Sequence, residues 1–544
     1  QPRSRGLGDV YKRQAIVFKY TFLQSRIFYA MLTLRTSIAK NSIMLYIRML
    51  ITTGISVFTS RAVLEILGVI DFGIYNVVGG IVIVLGFVNG SLAGASTRFL
   101  TYAIGAGDKD KERHTFSTLL IIHRSVALFL AVIIEIVGVW FLYNKMNIPA
   151  DRMGAAFWVL QCSVLTSTIS LISVPYNSLI IANERMDAFA YISVFESIAK
   201  LGIVYSLLLL GNADRLIVYA ILMCVLQITV RIIYGWFCRK NFSVTHSHMG
   251  FDKHLTKQMA VFIGWKINGD LAFVGCGQGL NIVLNMFFGP VVNAARGISV
   301  QIQNITNTFI QSYQMALQPQ IIKSYAGGNL SYMRRLVIIC SKYGFYLMLM
   351  VAFPILNYTE FILNLWLVRI PEDTVFLVRI ILLVCFITPL RQPLIQSINA
   401  TGKIKRFQII EGTILLMAVP VAYIGLRYFQ FSLFTVMVSY LCIEYIAQIA
   451  RIWIVLPYIE FSYREYSKEI LYPIGKVTIV LVAIHLFIKS FLSNTNWEIF
   501  CGLCLSELLC ITICFSLGIN SIERQQIIMF ITNRIKQCKN RNIP

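Results

Sequence analysis

The sequence predicts an all-α polytopic membrane protein, and three observations carry that expectation. Hydrophobic residues fill 57% of 544 positions. The mean hydropathy is +0.70, more than a soluble core requires. Apolar runs of about 20 residues, the length that crosses a hydrocarbon layer of ~30 Å as a helix, recur along nearly the whole chain. The runs are continuous and do not alternate with period two, which argues against a transmembrane barrel.

Fourteen spans are expected, at roughly 42–67, 73–97, 117–143, 155–182, 188–210, 215–238, 258–288, 291–318, 336–358, 374–399, 408–428, 432–456, 471–492 and 497–519. They group as a first six-helix bundle over 41–240, a second over 258–456, two additional helices over 471–519 and a basic tail over 520–544. Before them, "DVYKRQ" (9–14) is what a transposon end used in library preparation encodes. Residues 1–30 are therefore expected to be a non-native leader, with Met31 as a native start.

The formal charge of +23 follows the topology. Lys and Arg gather in the loops after even-numbered helices, such as Arg98 to Arg113, Arg239 to Lys257, Lys323 to Arg335 and Lys403 to Arg406, and in the tail. Loops of that kind lie on the cytoplasmic side, so both termini are expected there, in a bacterial inner membrane. Anionic lipid accounts for the charge, and nucleic acid is not an expected partner.

The first helix carries Arg48, Thr52, Ser56 and Thr59 on one face, with Arg48 about two turns in from its cytoplasmic end. A polar break, "DFGIYNVVGG" (71–80), separates it from the second helix, where Gly86, Gly90 and Gly94 permit close helix approach. Further along, Glu135, Arg231, Glu444 and Glu507 are intramembrane charges without an assignable partner, and Glu196 with Lys200 forms a helix-turn pair. On the seventh helix, Lys266, Asp270, Gln278, Asn281 and Asn285 share a flank, and Lys266 and Asp270 are spaced to pair.

The eighth helix gives the clearest pattern. At 100° per residue, Asn293, Arg296, Gln303, Asn304, Asn307, Gln311, Gln314 and Gln318 fall within about a third of its circumference. Facing lipid, such a stripe would be prohibitively costly, so it lines either a packed interface or a watery cavity. Most of the twelve cysteines sit inside apolar segments as small hydrophobes, and "CGLC" (501–504) lacks a redox context. His246, His248 and His254 share a loop without acids or thiols to complete a metal site; no metal and no cofactor are expected.

A shadow of the polar break recurs. Placing "LGVIDFGIYNVVGG" over "FGPVVNAARGISVQ" aligns Gly68 with Gly289, and the same offset of 221 residues aligns Ala95 with Ala316, Gly107 with Gly328, Asp108 with Asn329 and Arg113 with Arg334. A displacement of six helices gives both copies one orientation. The two halves should be related by a pseudo-two-fold axis along the membrane normal, with function at the interface between them.

The stretch 45–100, above all "LGVIDFGIYNVVGG", the "STRF" after the second helix and the loop "GAGDKDK", resembles the polysaccharide-exporter branch of the multidrug, oligosaccharidyl-lipid and polysaccharide (MOP) exporter superfamily. The likeness implies two six-helix bundles in a V around a cationic cavity. It also implies a flippase for undecaprenyl-diphosphate-linked oligosaccharide, serving O-antigen, capsule or exopolysaccharide assembly, with other polysaccharide-assembly proteins as expected partners. The expected cavity residues are Arg48, Thr52 and Ser56 of the first helix, Lys266, Asp270, Gln278 and Asn281 of the seventh, and Arg296, Asn304, Asn307, Gln311 and Gln314 of the eighth.

A lipid diphosphate is anionic and its glycan is dense with hydroxyls, so cations would hold the headgroup while amides exchange hydrogen bonds with varied sugars. No Walker motif is present, so the expected drive is the membrane potential or an inward H+ or Na+, with Asp270 the first acid to test. Catalysis is not expected. A multidrug antiporter of the same superfamily and a membrane glycan polymerase remain the alternatives.

Overall fold

The computed structural model describes residues 41–544 apart from positions 57, 60, 64, 69–70, 73, 76–77, 79–85, 145–147, 210–213, 247–251, 368–369, 490–495, 520–522 and 526–544. The expected leader and most of the basic tail lie outside these residues. Among the described residues all regular structure is helical. Twelve helices are long and apolar enough to cross a membrane, so the chain is a multi-pass membrane protein.

The helices in order are α1 Asn41–Gly68, α2 Gly86–Gly105, α3 Lys109–Asn144, α4 Met153–Ala182, α5 Met186–Ser206 and α6 Arg215–Asn241. The second set is α7 Lys253–Gly289, α8 over 290–326, α9 Leu330–Asn357, α10 Thr374–Thr401, α11 Lys405–Tyr428 and α12 Leu433–Tyr458. Tyr463–Lys489 and Ile499–Gly518 follow as α13 and α14. The two expected spans that fail the apolarity test are α2, described only from Gly86, and α8. Glycine and hydroxyl residues dilute the first, and amides the second.

α7 and α8 run on as one 74-residue helical segment, broken at Gly289, whose φ of 77° and ψ of −170° only glycine adopts readily. The repeat explains the break. Gly68 and Gly289 have φ of 79° and 77°, and Gly107 and Gly328 have 74° and 72°. Asp108 Oδ1 accepts from the Lys111 amide at 3.0 Å, and Asn329 Oδ1 accepts from the Tyr332 amide at 3.0 Å, the same cap one repeat later. The aligned residues thus hold matching backbone conformations, which composition alone cannot produce.

Within the first half α4 packs against α2, α3, α5 and α6, and within the second α7 and α8 pack against α9, α10 and α11, with α12 closing on α10 and α11. α13 and α14 pack on each other and on α9, where Lys342 pairs with Glu523 at 2.9 Å and the Tyr346 hydroxyl donates to the Gly518 carbonyl at 3.0 Å.

The two bundles meet mainly at the end that carries the basic loops. There a single apolar core runs through both, from Leu100, Phe116 and Tyr234 to Leu317, Met333 and Phe407. At the opposite end the cores separate. One is built from Val63, Leu142, Val159 and Leu216 of the first half alone, and another from Leu280, Val292, Leu377 and Tyr440 of the second alone. A molecule with one shared core at one end and two at the other is a V.

Polar latches lock the shared end. Arg98 on α2 donates to the carbonyls of Asn399 at 2.9 Å and Ala400 at 3.2 Å, at the α10–α11 turn. In return, Gln320 and Lys323 on α8 donate to the Glu184 carboxylate at 2.5 Å and 2.6 Å, at the α4–α5 turn. Glu184 holds φ of 60° there, a left-handed conformation that its contacts must stabilise. Between the latches a Cβ on Gly105 would lie 3.0 Å from that of Ala326, its own equivalent one repeat later. Equivalent positions meet only at the axis that relates them.

Candidate functional site

The face of α1 expected to be polar is present. Thr52, Ser56 and Thr59 donate to the carbonyls of Arg48, Thr52 and Ile55, one turn back, so their hydroxyls are satisfied within the helix. Arg48 is half-buried, stacks 4.7 Å from the Phe189 ring and keeps its Nε without a protein partner. Beside it the Tyr46 ring lies 4.8 Å from Phe309 of α8, which places Arg48 near the join of the two halves.

Across the join, Lys266 and Asp270 pair at 2.5 Å, as their spacing predicts. The Asp270 carboxylate also accepts from Ser91 Oγ of α2 at 2.6 Å, so it bridges the bundles. Gly94 lies beside the pair, and a Cβ there would meet the Lys266 stem at 3.6 Å, an ordinary contact. Sequence reasoning read these glycines as packing devices and missed Ser91, whose small buried side chain carries no pattern of its own.

Of the amides, Gln278, Asn304 and Gln311 are exposed, and Asn281 and Asn307 are half-buried. Gln278 accepts from Asn281 at 3.5 Å. Amide groups exposed at membrane depth require water on that side, because hydrocarbon offers them no partner. Arg48 and the Lys266–Asp270 pair are the polar groups that contacts place at the join of the two halves.

Arg296 and Gln314 depart from the expected arrangement. Both lie about 80° around α8 from Asn304, and that flank turns into the second bundle. Arg296 is 3% exposed, donates to Asn281 Oδ1 at 3.3 Å and lies 5.6 Å from the Tyr440 ring. Gln314 is 7% exposed and donates to the Pro389 carbonyl at 3.2 Å. The stripe therefore has two fates: its Asn304 and Gln311 edge stays open while its Arg296 and Gln314 edge is packed.

Of the four intramembrane charges without an assignable partner, Glu135, Arg231 and Glu444 gain one. Glu135 accepts from Gln161 at 2.6 Å, and Arg231 stacks 3.8 Å from the Tyr176 ring. Glu196 and Lys200 pair at 2.6 Å. Glu444 belongs to a buried group in which Arg451 donates to Glu411 at 2.7 Å and to Gln448 at 3.2 Å. Tyr440, Glu444, Gln448 and Arg451 fall on one face of α12, a spacing that was present in the sequence. Asp71, from the polar break, is paired with Arg152, which also reaches Asp214 at 2.6 Å; this staple ties the α1–α2 connection to the starts of α4 and α6.

Described cysteines are free, including the exposed Cys501 and Cys504. No group of three or more metal-binding side chains occurs among the described residues.

No protein-family model and no curated protein matches the sequence. Solved structures do. An outward-facing multidrug resistance MATE family transporter of the MOP superfamily superposes with a TM-score of 0.67 at 16% identity, covering 78% of this chain and 95% of that one. A MATE protein in the bent conformation gives 0.66 at 15% identity, over 78% and 96%. A MOP superfamily transporter from Pyrococcus furiosus, described as having a binding pocket of reverse polarity that suggests a different function, gives 0.63 at 15% identity, over 77% and 96%. The chain has the fold of MATE transporters of the MOP superfamily, two helical bundles included.

Proposed function

We propose that the protein exports an anionic, lipid-linked glycan, flipping the undecaprenyl-diphosphate-linked oligosaccharide from the cytoplasmic to the periplasmic leaflet. The observations that support this reading are two cations at the join, Arg48 and Lys266, and the amides of Gln278, Asn304, Asn307 and Gln311 on α7 and α8, three of them exposed and Asn307 half-buried. A diphosphate suits Lys and Arg donors, and loosely placed amides suit a variable glycan. The prenyl tail stays in lipid while the head crosses, so no sugar is desolvated in hydrocarbon.

On the positive-inside rule the basic, latched end is cytoplasmic, and the conformation is outward-facing. Outward movement of negative charge across an interior-negative membrane is favourable by ~2.3 kcal/mol per charge per 100 mV, so a diphosphate would gain roughly 4–5 kcal/mol. Asp270, held by Ser91 and Lys266 across the join, is the acid placed to sense an inward proton.

A multidrug antiporter is favoured by one observation, the likeness to MATE structures. Against it, drug cations seek acidic pockets, and here Asp270 is already neutralised by Lys266. Vesicles reconstituted with the purified protein and a fluorescent undecaprenyl-diphosphate oligosaccharide decide between the readings. Export predicts protein-dependent flipping that falls when Arg48→Ala and Lys266→Ala are combined. Proton-driven efflux of cationic drugs without flipping would replace this reading with the antiporter.

A further inference from the structure

The basic ends of α11 and α12 carry a cluster that neither the latches nor the groups at the join use. α11 opens with Lys405 and Arg406, both exposed. Each stands over an indole ring. Lys405 Nζ lies 5.3 Å from the Trp265 centroid on α7, and the Arg406 guanidinium lies 5.3 Å from that of Trp453 on α12. Trp265 is half-buried, whereas Trp453 is 57% exposed. A guanidinium over a ring is attracted through its flat face and keeps its in-plane N–H donors for a second partner. Among the described residues Arg406 makes no hydrogen bond or ion pair, so those donors are open.

The platform under Arg406 is fixed in place. Pro457, in the last turn of α12, has no N–H to give the carbonyl four residues back, which is that of Trp453. The Tyr463 hydroxyl takes that place and donates to the Trp453 carbonyl at 3.0 Å. This bond holds the start of α13 beside the indole, with the Tyr463 ring itself exposed. Indole and phenol side chains favour the boundary between hydrocarbon and headgroups.

Deeper along the two helices the surface turns apolar. Ile446 and Ile449 continue the Trp453 face of α12, and Ile409 and Leu416 continue the Arg406 face of α11; all four are exposed, Ile449 to 67%. α11 and α12 pack on each other, and the Arg406–Trp453 contact sets these faces side by side. Neither face carries an acid, because Glu411 and Glu444 turn inward onto Arg451. Along the chain, 403–406 and 460–469 together hold five Lys and Arg against three Glu.

An exposed apolar strip ending in unpaired cations is complementary to a lipid with an anionic headgroup. On the positive-inside rule this end meets the cytoplasmic leaflet, which carries such lipid. We propose that the second bundle has a binding site for an anionic glycerophospholipid. Arg406 holds its phosphate, with Lys405 adding charge, the Trp453 and Tyr463 rings lie level with its glycerol backbone, and an acyl chain runs along Ile449 and Ile446. The headgroup ties α11 and α12 to the start of α13, next to the α10–α11 turn that Arg98 grips. The site uses none of the groups at the join and does not rest on the nature of the exported cargo.

The test is the melting temperature of the purified full-length protein in an uncharged detergent as phosphatidylglycerol is added, against phosphatidylcholine and against inorganic phosphate at matched ionic strength, because a ligand of the native state raises it saturably. Phosphatidylglycerol is expected to stabilise the wild type with a defined midpoint, and the other two are not. Arg406→Gln should move that midpoint upward about tenfold or more, the weight of one charge-assisted hydrogen bond. Arg239→Gln, which removes an exposed cation from the end of α6, should leave it in place. Should Arg406→Gln fail to fold, Trp453→Leu, which removes the platform and keeps the charge, decides by the same upward shift. Equal stabilisation by phosphatidylcholine or inorganic phosphate, an unmoved midpoint in Arg406→Gln, or an equal shift in Arg239→Gln would overturn the site. A response to undecaprenyl phosphate alone would also overturn it, by assigning the patch to the cargo lipid.

Discussion

Lys266 is held by a carboxylate that also touches the other bundle, so its charge is available to a ligand only in competition with Asp270. Substituting Asp270→Asn frees the ammonium from its counter-charge and leaves an amide oxygen to accept from Ser91. If the proposed drive is right, flipping in Asp270→Asn vesicles becomes independent of an imposed proton gradient while headgroup binding persists; unchanged gradient dependence would remove Asp270 from the mechanism. Among the described residues no acid pairs with Arg48, and Arg48→Ala should lower flipping about tenfold or more, the weight of a lost charge-assisted hydrogen bond of ~1.5–3 kcal/mol.

Arg152 has a structural task. Burial pushes the Asp214 carboxyl up, but the Arg152 guanidinium and the Ile217 and Leu216 amides outweigh it and hold the carboxyl below its usual range. A carboxyl depressed in the folded state contributes stability above its unfolded pKa and loses it as pH falls through the folded value. Melting profiles should therefore show an acid-side loss, below about pH 4, that Arg152→Met largely abolishes while lowering stability at neutral pH.

At the scale of elements, the sequence was legible where a periodicity or a repeat spoke and opaque where helices chose neighbours. The spans, the Lys266–Asp270 pair and the kinship of Gly68 with Gly289 follow from spacing. Helical projection of α8 located one polar stripe but could not divide it, because which flank packs on α10 and which stays open depends on the approach of partners that lie 75 or more residues away, as Pro389 does from Gln314. For the same reason Ser91 and Glu184 gave no warning: each matters through one contact made across the halves. The Gly289 break yields its own prediction. Nothing lies within 4 Å of a Cβ there, so Gly289→Ala costs only backbone strain, about 1–2 kcal/mol, and a variant as stable as wild type in thermal unfolding would contradict the left-handed kink.

For the whole molecule, the pseudo-two-fold axis explains why one end is closed. Arg98 reaching the α10–α11 turn and Lys323 reaching the α4–α5 turn are analogous contacts, one from each half, made by residues that the 221-residue offset does not pair. Two reciprocal latches around a shared apolar core open and close as a unit, which suits rocking of two bundles. Glu184→Lys should weaken one latch by placing like charge against Lys323, and Lys323→Glu combined with it should restore the contact; transport that falls in the first and recovers in the second measures the latch.

The most direct measurement of the outward-open V uses the meeting point of the axis. In a background without other cysteines, Gly105→Cys and Ala326→Cys meet at the axis. Once the Cβ at 105, which starts 3.0 Å from that of Ala326 and 2.8 Å from the Lys323 Cα, has moved off to the ~3.5–4.5 Å that a disulfide spans, the pair should cross-link and lock the basic end shut. In the locked protein a further Asn304→Cys should react with a membrane-impermeant thiol reagent added from the periplasmic side. Labelling from that side with flipping abolished is the predicted result. An Asn304→Cys thiol shielded from the periplasm yet reachable from the cytoplasm would contradict it.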